Sequence, residues 1–64
     1  MKNDVRNLRR SKGMTQEELG EMIGVSRQTI NAIEKEKFDP SLNTAFKMSR
    51  VFQTTIEKFF FYEK

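Results

Sequence analysis

The segment TQEELGEMIGVSRQTINAIE, from Thr15 to Glu34, decides how this chain folds. Thr15 is followed three residues later by Glu18, the capping-box spacing in which each side chain satisfies a free backbone N–H at a helix start. Leu19, Met22 and Ile23 stand at i, i+3 and i+4 and so share one core-facing stripe. Glu17, Glu18 and Glu21 lie near the positive N-terminal end of the same helix dipole. Gly24 ends this helix, and Ser26 caps the next one after only Gly24 and Val25, which predicts a sharp turn. Ile30 and Ile33 form the buried stripe of that next helix, while Arg27, Gln28, Thr29, Asn31, Glu34 and Lys35 give its remaining faces a polar character. Gly20 in mid-helix costs about 1 kcal/mol relative to alanine, a cost that makes sense where another helix backbone passes close by. The segment thus predicts two helices crossing steeply through a tight turn. The first, over about residues 16–23, supports the second, over about 27–35, and leaves its N-terminal half exposed.

Toward the N-terminus, Asn3 or Asp4 caps a first helix that carries Val5 and Leu8 on one face and stops near Lys12 and Gly13. Toward the C-terminus, Asp39, Pro40 and Ser41 make a turn and cap before a fourth helix. Its inner face holds or borders Leu42, Ala45, Phe46, Met48, Ser49 and Phe52. A short fifth helix is expected from Thr54 or Thr55 through Ile56, Phe59 and Phe60. Phe61 to Lys64 read as an extended strand able to pair with Lys2 and Asn3, because aromatic residues favour strands. The expected fold class is all-α with five helices and a short β-pairing of the two chain ends.

Sixty-four residues leave room for one domain with a modest core. With no cysteine and no histidine, neither a disulfide nor a zinc site is available to reinforce it, and no cofactor or metal is inferred. Dimerisation is the remaining route to added stability. The same absences, with no glycine-rich phosphate loop, argue against an enzyme. No segment has the length of a membrane span or the order of a secretory signal, so a cytoplasmic protein without membrane or small-molecule partners is expected. Twelve Lys and Arg against nine Asp and Glu give a net charge of +3, a weak pull toward polyanions. The distribution is more informative: acids cluster at Glu17, Glu18 and Glu21, and Arg27, Lys35, Lys37, Lys47 and Arg50 fall in and beyond the middle of the chain.

The stretch LRRSKGMTQEELGEMIGVSRQTINAIEKEKFDPSLNTAFKMSRVF resembles the helix-turn-helix of the Cro and phage lambda repressor (XRE) family, most specifically in its SRQTINAIEK and DPSL blocks. That resemblance implies a lambda repressor-like domain that lays its second motif helix in the major groove of double-stranded DNA as a homodimer. It places Arg27, Gln28, Thr29 and Asn31 at base edges, where arginine suits guanine and glutamine suits adenine. It assigns phosphate contacts to Gln16, Lys35, Lys37 and the backbone near Phe38. In this family the fifth helix and tail form the two-fold interface, which here implicates Ile56, Phe59, Phe60 and Tyr62. Glu36 and Gln53 stand where the family often has glycine, so strained left-handed turns are expected at both. A sequence-specific transcriptional repressor is the reading that follows. The competing reading is a protein-interaction module, antitoxin-like or an adaptor, motivated by Glu36 and the modest charge.

Overall fold

The computed structural model describes residues 1–62. In chain order it has a strand β1 (Lys2–Asn3), helices α1 (Val5–Ser11), α2 (Gln16–Ile23), α3 (Arg27–Glu34) and α4 (Leu42–Phe52), a single 3-10 turn (Ile56–Lys58) and a strand β2 (Phe60–Phe61). Side-chain caps set three of the helix starts. Thr15 Oγ1 accepts from the Glu18 N–H at 3.0 Å while Glu18 Oε1 accepts from the Thr15 N–H at 2.8 Å, completing the capping box of α2. Ser26 and Ser41 each accept from the backbone N–H three residues on, at 3.1 Å, and so open α3 and α4. At α1 the service comes from Asn3, whose Oδ1 accepts from the Val5 N–H at 3.1 Å.

The fifth helix of the sequence reading is replaced by the three-residue 3-10 turn. The chain cannot continue in helix there because its next residues are needed elsewhere. Asp4 N–H donates to the Phe59 carbonyl at 2.9 Å, and β2 runs antiparallel to β1 with Lys2 opposite Phe61 and Asn3 opposite Phe60. The expected terminal pairing therefore exists, starting one residue earlier than Phe61; Glu63 and Lys64 lie outside the described residues.

The core is built from Val5, Leu19, Ile23, Ile30, Ile33 and Met48, closed at the C-terminal end by Phe52, Phe59 and Phe60. Phe52 and Phe59 meet edge to face, with ring centroids 5.3 Å apart and planes at 87°, a favoured aromatic arrangement. Two apolar expectations are corrected. Met22 is 62% exposed, because Leu19 and Ile23 alone carry the inward stripe of α2 while Gly20 faces the turn into α3. On α4 the inner face is Ala45, Met48 and Phe52, and Leu42 and Phe46 point outward.

Gly20 lies against the backbone of the turn into α3. A Cβ at that position would lie 2.5 Å from the Val25 carbonyl oxygen, far inside contact distance. The close approach predicted from the sequence is thus made by the turn residues Val25 and Ser26 leading into α3. Gly24 enables it at φ 79°, and the N–H groups of Gly24 and Val25 both donate to the Gly20 carbonyl, at 2.8 and 2.9 Å.

Candidate nucleic-acid interface

The arrangement of α2 and α3 leaves the leading turn of α3 facing solvent. Arg27 and Gln28 are exposed, Thr29 and Asn31 half-buried, while Ile30, Ile33 and Glu34 face inward. Ser26 fixes the start of this helix, and its hydroxyl also meets Thr29 Oγ1 at 3.0 Å, so Thr29 helps close the cap. Lys35, Lys37 and Phe38 are all exposed just beyond the end of α3. That end is a left-handed closure: the Lys37 N–H donates to the Ala32 carbonyl at 2.9 Å and the Glu36 N–H to the Ile33 carbonyl at 3.0 Å, with Glu36 at φ 64°. Asn3 Nδ2 donates to the Ile33 carbonyl at 2.8 Å, tying the N-terminal segment to the same helix end.

Glu34 was expected on a polar outer face, and it is instead the centre of a buried network. Its side chain is fully enclosed. Arg9 grips it side-on, Nε to Oε2 at 2.7 Å and Nη2 to Oε1 at 3.2 Å, and sends Nη1 to the Met14 carbonyl at 2.8 Å. Arg6 Nε approaches Oε1 at 3.4 Å, and Gln16 Nε2 donates to Oε1 at 3.0 Å. Burial pushes the Glu34 carboxyl upward, but the hydrogen bonds from Arg9, Gln16 and Arg6 and the Arg9 charge outweigh it and hold the group below its ordinary value. The hydrogen bond to Glu34 raises Arg9 in turn, against the opposing effect of burial. One signal could have found both: Arg9 stands four residues after Val5 and Glu34 four after Ile30, so each continues the apolar stripe of its helix.

Gln16 joins this network to the exposed surface, because the same Nε2 donates to Asn31 Oδ1 at 3.2 Å. The first residue of α2 is thereby braced against the middle of α3. Two shallow depressions flank Arg27. One is lined by Met14, Thr15, Gln16 and Glu17, the other by Glu17, Glu21, Ser26 and Gln28. Glu17 and Glu21 therefore border the basic edge, a neighbourhood that their clustering in sequence did not disclose.

The residues expected at a dimer interface separate into two groups. Phe59 is fully buried and Phe60 is 7% exposed, so the core of the single chain uses both side chains. Ile56 is half-buried and Tyr62 is 77% exposed.

Residues 5–59 match the family model described as helix-turn-helix. The chain belongs to the helix-turn-helix family. An uncharacterized HTH-type transcriptional regulator of Methanocaldococcus jannaschii is 52% identical over 63 residues, covering 98% of this chain and 96% of that one. The regulator YgzD of Bacillus subtilis is 47% identical over 64 residues, covering 100% and 97%. Among solved structures, the P22 c2 repressor in complex with a synthetic operator superposes with a TM-score of 0.80 at 26% identity, over 83% of this chain and 80% of that one. SinR, solved in complex with SinI, gives 0.76 at 27% identity over 84% of this chain and 53% of that one. This helix-turn-helix protein is thus a transcriptional regulator of the Cro and phage repressor type, with a DNA-binding fold. Among its described residues no helix is long and apolar enough to cross a membrane.

Proposed function

We propose that this regulator is an operator-specific repressor that binds double-stranded DNA as a homodimer and reads the major groove with the first half of α3. The observation that carries this reading is the outward edge of Arg27 and Gln28 on a helix whose back is anchored by Ile30, Ile33 and the Arg9–Glu34 pair. A helix about 10–12 Å across fits a groove about 12 Å wide, so such an edge meets bases directly. Arg27 suits guanine O6 and N7, Gln28 suits adenine N6 and N7, and Thr29 suits a thymine methyl or a phosphate. Lys35, Lys37 and the Phe38 amide hold backbone phosphates and fix register. The likeness to the P22 c2 repressor, solved in complex with a synthetic operator, supports operator binding here.

Dimerisation uses the exposed apolar surface around Ile56 and Tyr62. A mainly apolar groove lined by Met1, Pro40, Leu42, Ile56 and the rim of Phe60 supports that choice, since exposed apolar patches mark interaction surfaces. A two-fold pairing there repeats α3 on two half-sites about 34 Å apart, one helical turn of DNA.

Binding titrations at fixed salt test the reading, with duplexes from the region upstream of the protein's own coding sequence set against random duplexes. The upstream duplexes are expected to bind at least about a thousandfold more tightly, the low end for specific recognition. Gln28→Ala relaxes preference at one base pair, whereas Lys35→Ala weakens all sequences alike and lowers the salt slope by about 1. Equal binding to upstream and random DNA removes the reading.

A further inference from the structure

The amide of Gln16 is held by two partners that decide which way it faces. Its Nε2 lies 3.0 Å from Glu34 Oε1 and 3.2 Å from Asn31 Oδ1. Glu34 is an enclosed carboxylate gripped by Arg9, and a carboxylate only accepts hydrogen bonds. Turning the Gln16 carbonyl toward it sets oxygen lone pairs against each other in a buried site, so the nitrogen must face inward. Both N–H groups of that nitrogen are then in use. With a donor pointing at it, Asn31 must answer with its oxygen, and its own Nδ2 is left as the group presented outward.

We propose that Glu34, acting through Gln16, is a positioning residue that sets the hydrogen-bonding polarity of the recognition surface, fixing Asn31 as a donor toward DNA. The proposal rests on the DNA-binding reading above. It makes Asn31 select a base edge that accepts, such as a purine N7, guanine O6 or thymine O4. The amide oxygen keeps a second lone pair, so a two-bonded adenine contact stays open, whereas cytosine, whose edge offers only a donor, leaves the outward Nδ2 unanswered. A second consequence concerns Gln16 itself. The only free polar atom of its side chain is Oε1, an acceptor that repels a phosphate, so the side-chain phosphate contact expected for Gln16 is not made while this relay is intact.

Two measurements on the full chain test this. In the free protein, nitrogen-15 NMR near neutral pH should find the Gln16 side-chain NH2 protons exchanging with water about tenfold or more slowly than those of Asn31. Faster exchange at Gln16 than at Asn31 overturns the proposed polarity. Selection from randomised duplexes then compares the wild type with Gln16→Met, which leaves Arg9 and Glu34 in place and keeps an unbranched side chain of similar length. With the Asn31 amide free to turn its oxygen outward, the variant should gain cytosine at a single base pair by about five- to tenfold, the range of one hydrogen bond, with the other positions unchanged. A selective wild type whose preferences survive Gln16→Met, with affinity lowered evenly, overturns the inference alone. A wild type that selects no sequence overturns the DNA reading and this inference with it.

Discussion

Glu36 and Gln53 occupy the left-handed region at φ 64° and 56°, each closing a helix in the position that Gly13 and Gly24 fill for α1 and α2. A side chain with a Cβ pays about 1–2 kcal/mol there, and glycine returns part of that through the larger entropy of its unfolded chain. Glu36→Gly is accordingly expected to stabilise the protein by about 0.5–1 kcal/mol, read as a higher urea midpoint with an unchanged slope. On the proposed DNA reading it also removes a carboxylate flanked by Lys35 and Lys37, so affinity should rise for all sequences together. A lower midpoint for Glu36→Gly would mean that this side chain makes a contact worth more than its strain.

At the scale of the element, the helix-turn-helix is held at the angle between α2 and α3 by one missing side chain. Gly20→Ala brings a methyl to within 2.5 Å of the Val25 carbonyl oxygen, a backbone atom that cannot swing aside. The turn must open to admit it. The expected cost is about 1–3 kcal/mol, as for overpacking in a tight core, despite the better helix propensity of alanine. Ser26→Ala should cost about 1 kcal/mol by releasing the Thr29 N–H at the start of α3. Comparing the two by thermal melts and by DNA titration separates their effects: Ser26→Ala frays the recognition helix locally, and Gly20→Ala changes how it is presented. A Gly20→Ala protein as stable as the wild type would contradict the close approach.

Over the whole molecule, the Arg9–Glu34 pair links α1 to α3 in a buried site of a small domain. Arg9→Met alone leaves a buried carboxylate without its main partner and should cost about 3–5 kcal/mol, most of the stability expected of a chain this size. Replacing both, Arg9→Met with Glu34→Met, should recover most of that loss, since burying apolar groups in place of an ion pair is often neutral or better. The pair also predicts acid sensitivity. Glu34 is held below its ordinary value of 4.5, so above that pH both folded and unfolded chains carry it ionised and the stabilisation is complete. As pH falls below 4.5 the unfolded chain takes up the proton first, and stability declines until pH has passed the lower folded value. Urea titrations across that window should show a steeper decline for the wild type than for the double variant. Identical slopes would count against the network.

What the sequence settled by itself is local: the capping box at Thr15, the caps at Ser26 and Ser41, the closure at Gly24 and the spacing of Leu19, Ile23, Ile30 and Ile33. These depend on residues a few positions apart, and so the two-helix motif and its exposed leading edge at Arg27 and Gln28 are written in the local sequence. The outward turn of Met22, the burial of Phe59 and Phe60, the replacement of the expected fifth helix by a 3-10 turn and the enclosure of Glu34 depend on what packs against each residue from a distant part of the chain. Arg9 and Glu34 are 25 residues apart. A charge on an apolar stripe reads as surface until its partner is brought to it, and only the folding of α1 against α3 does so.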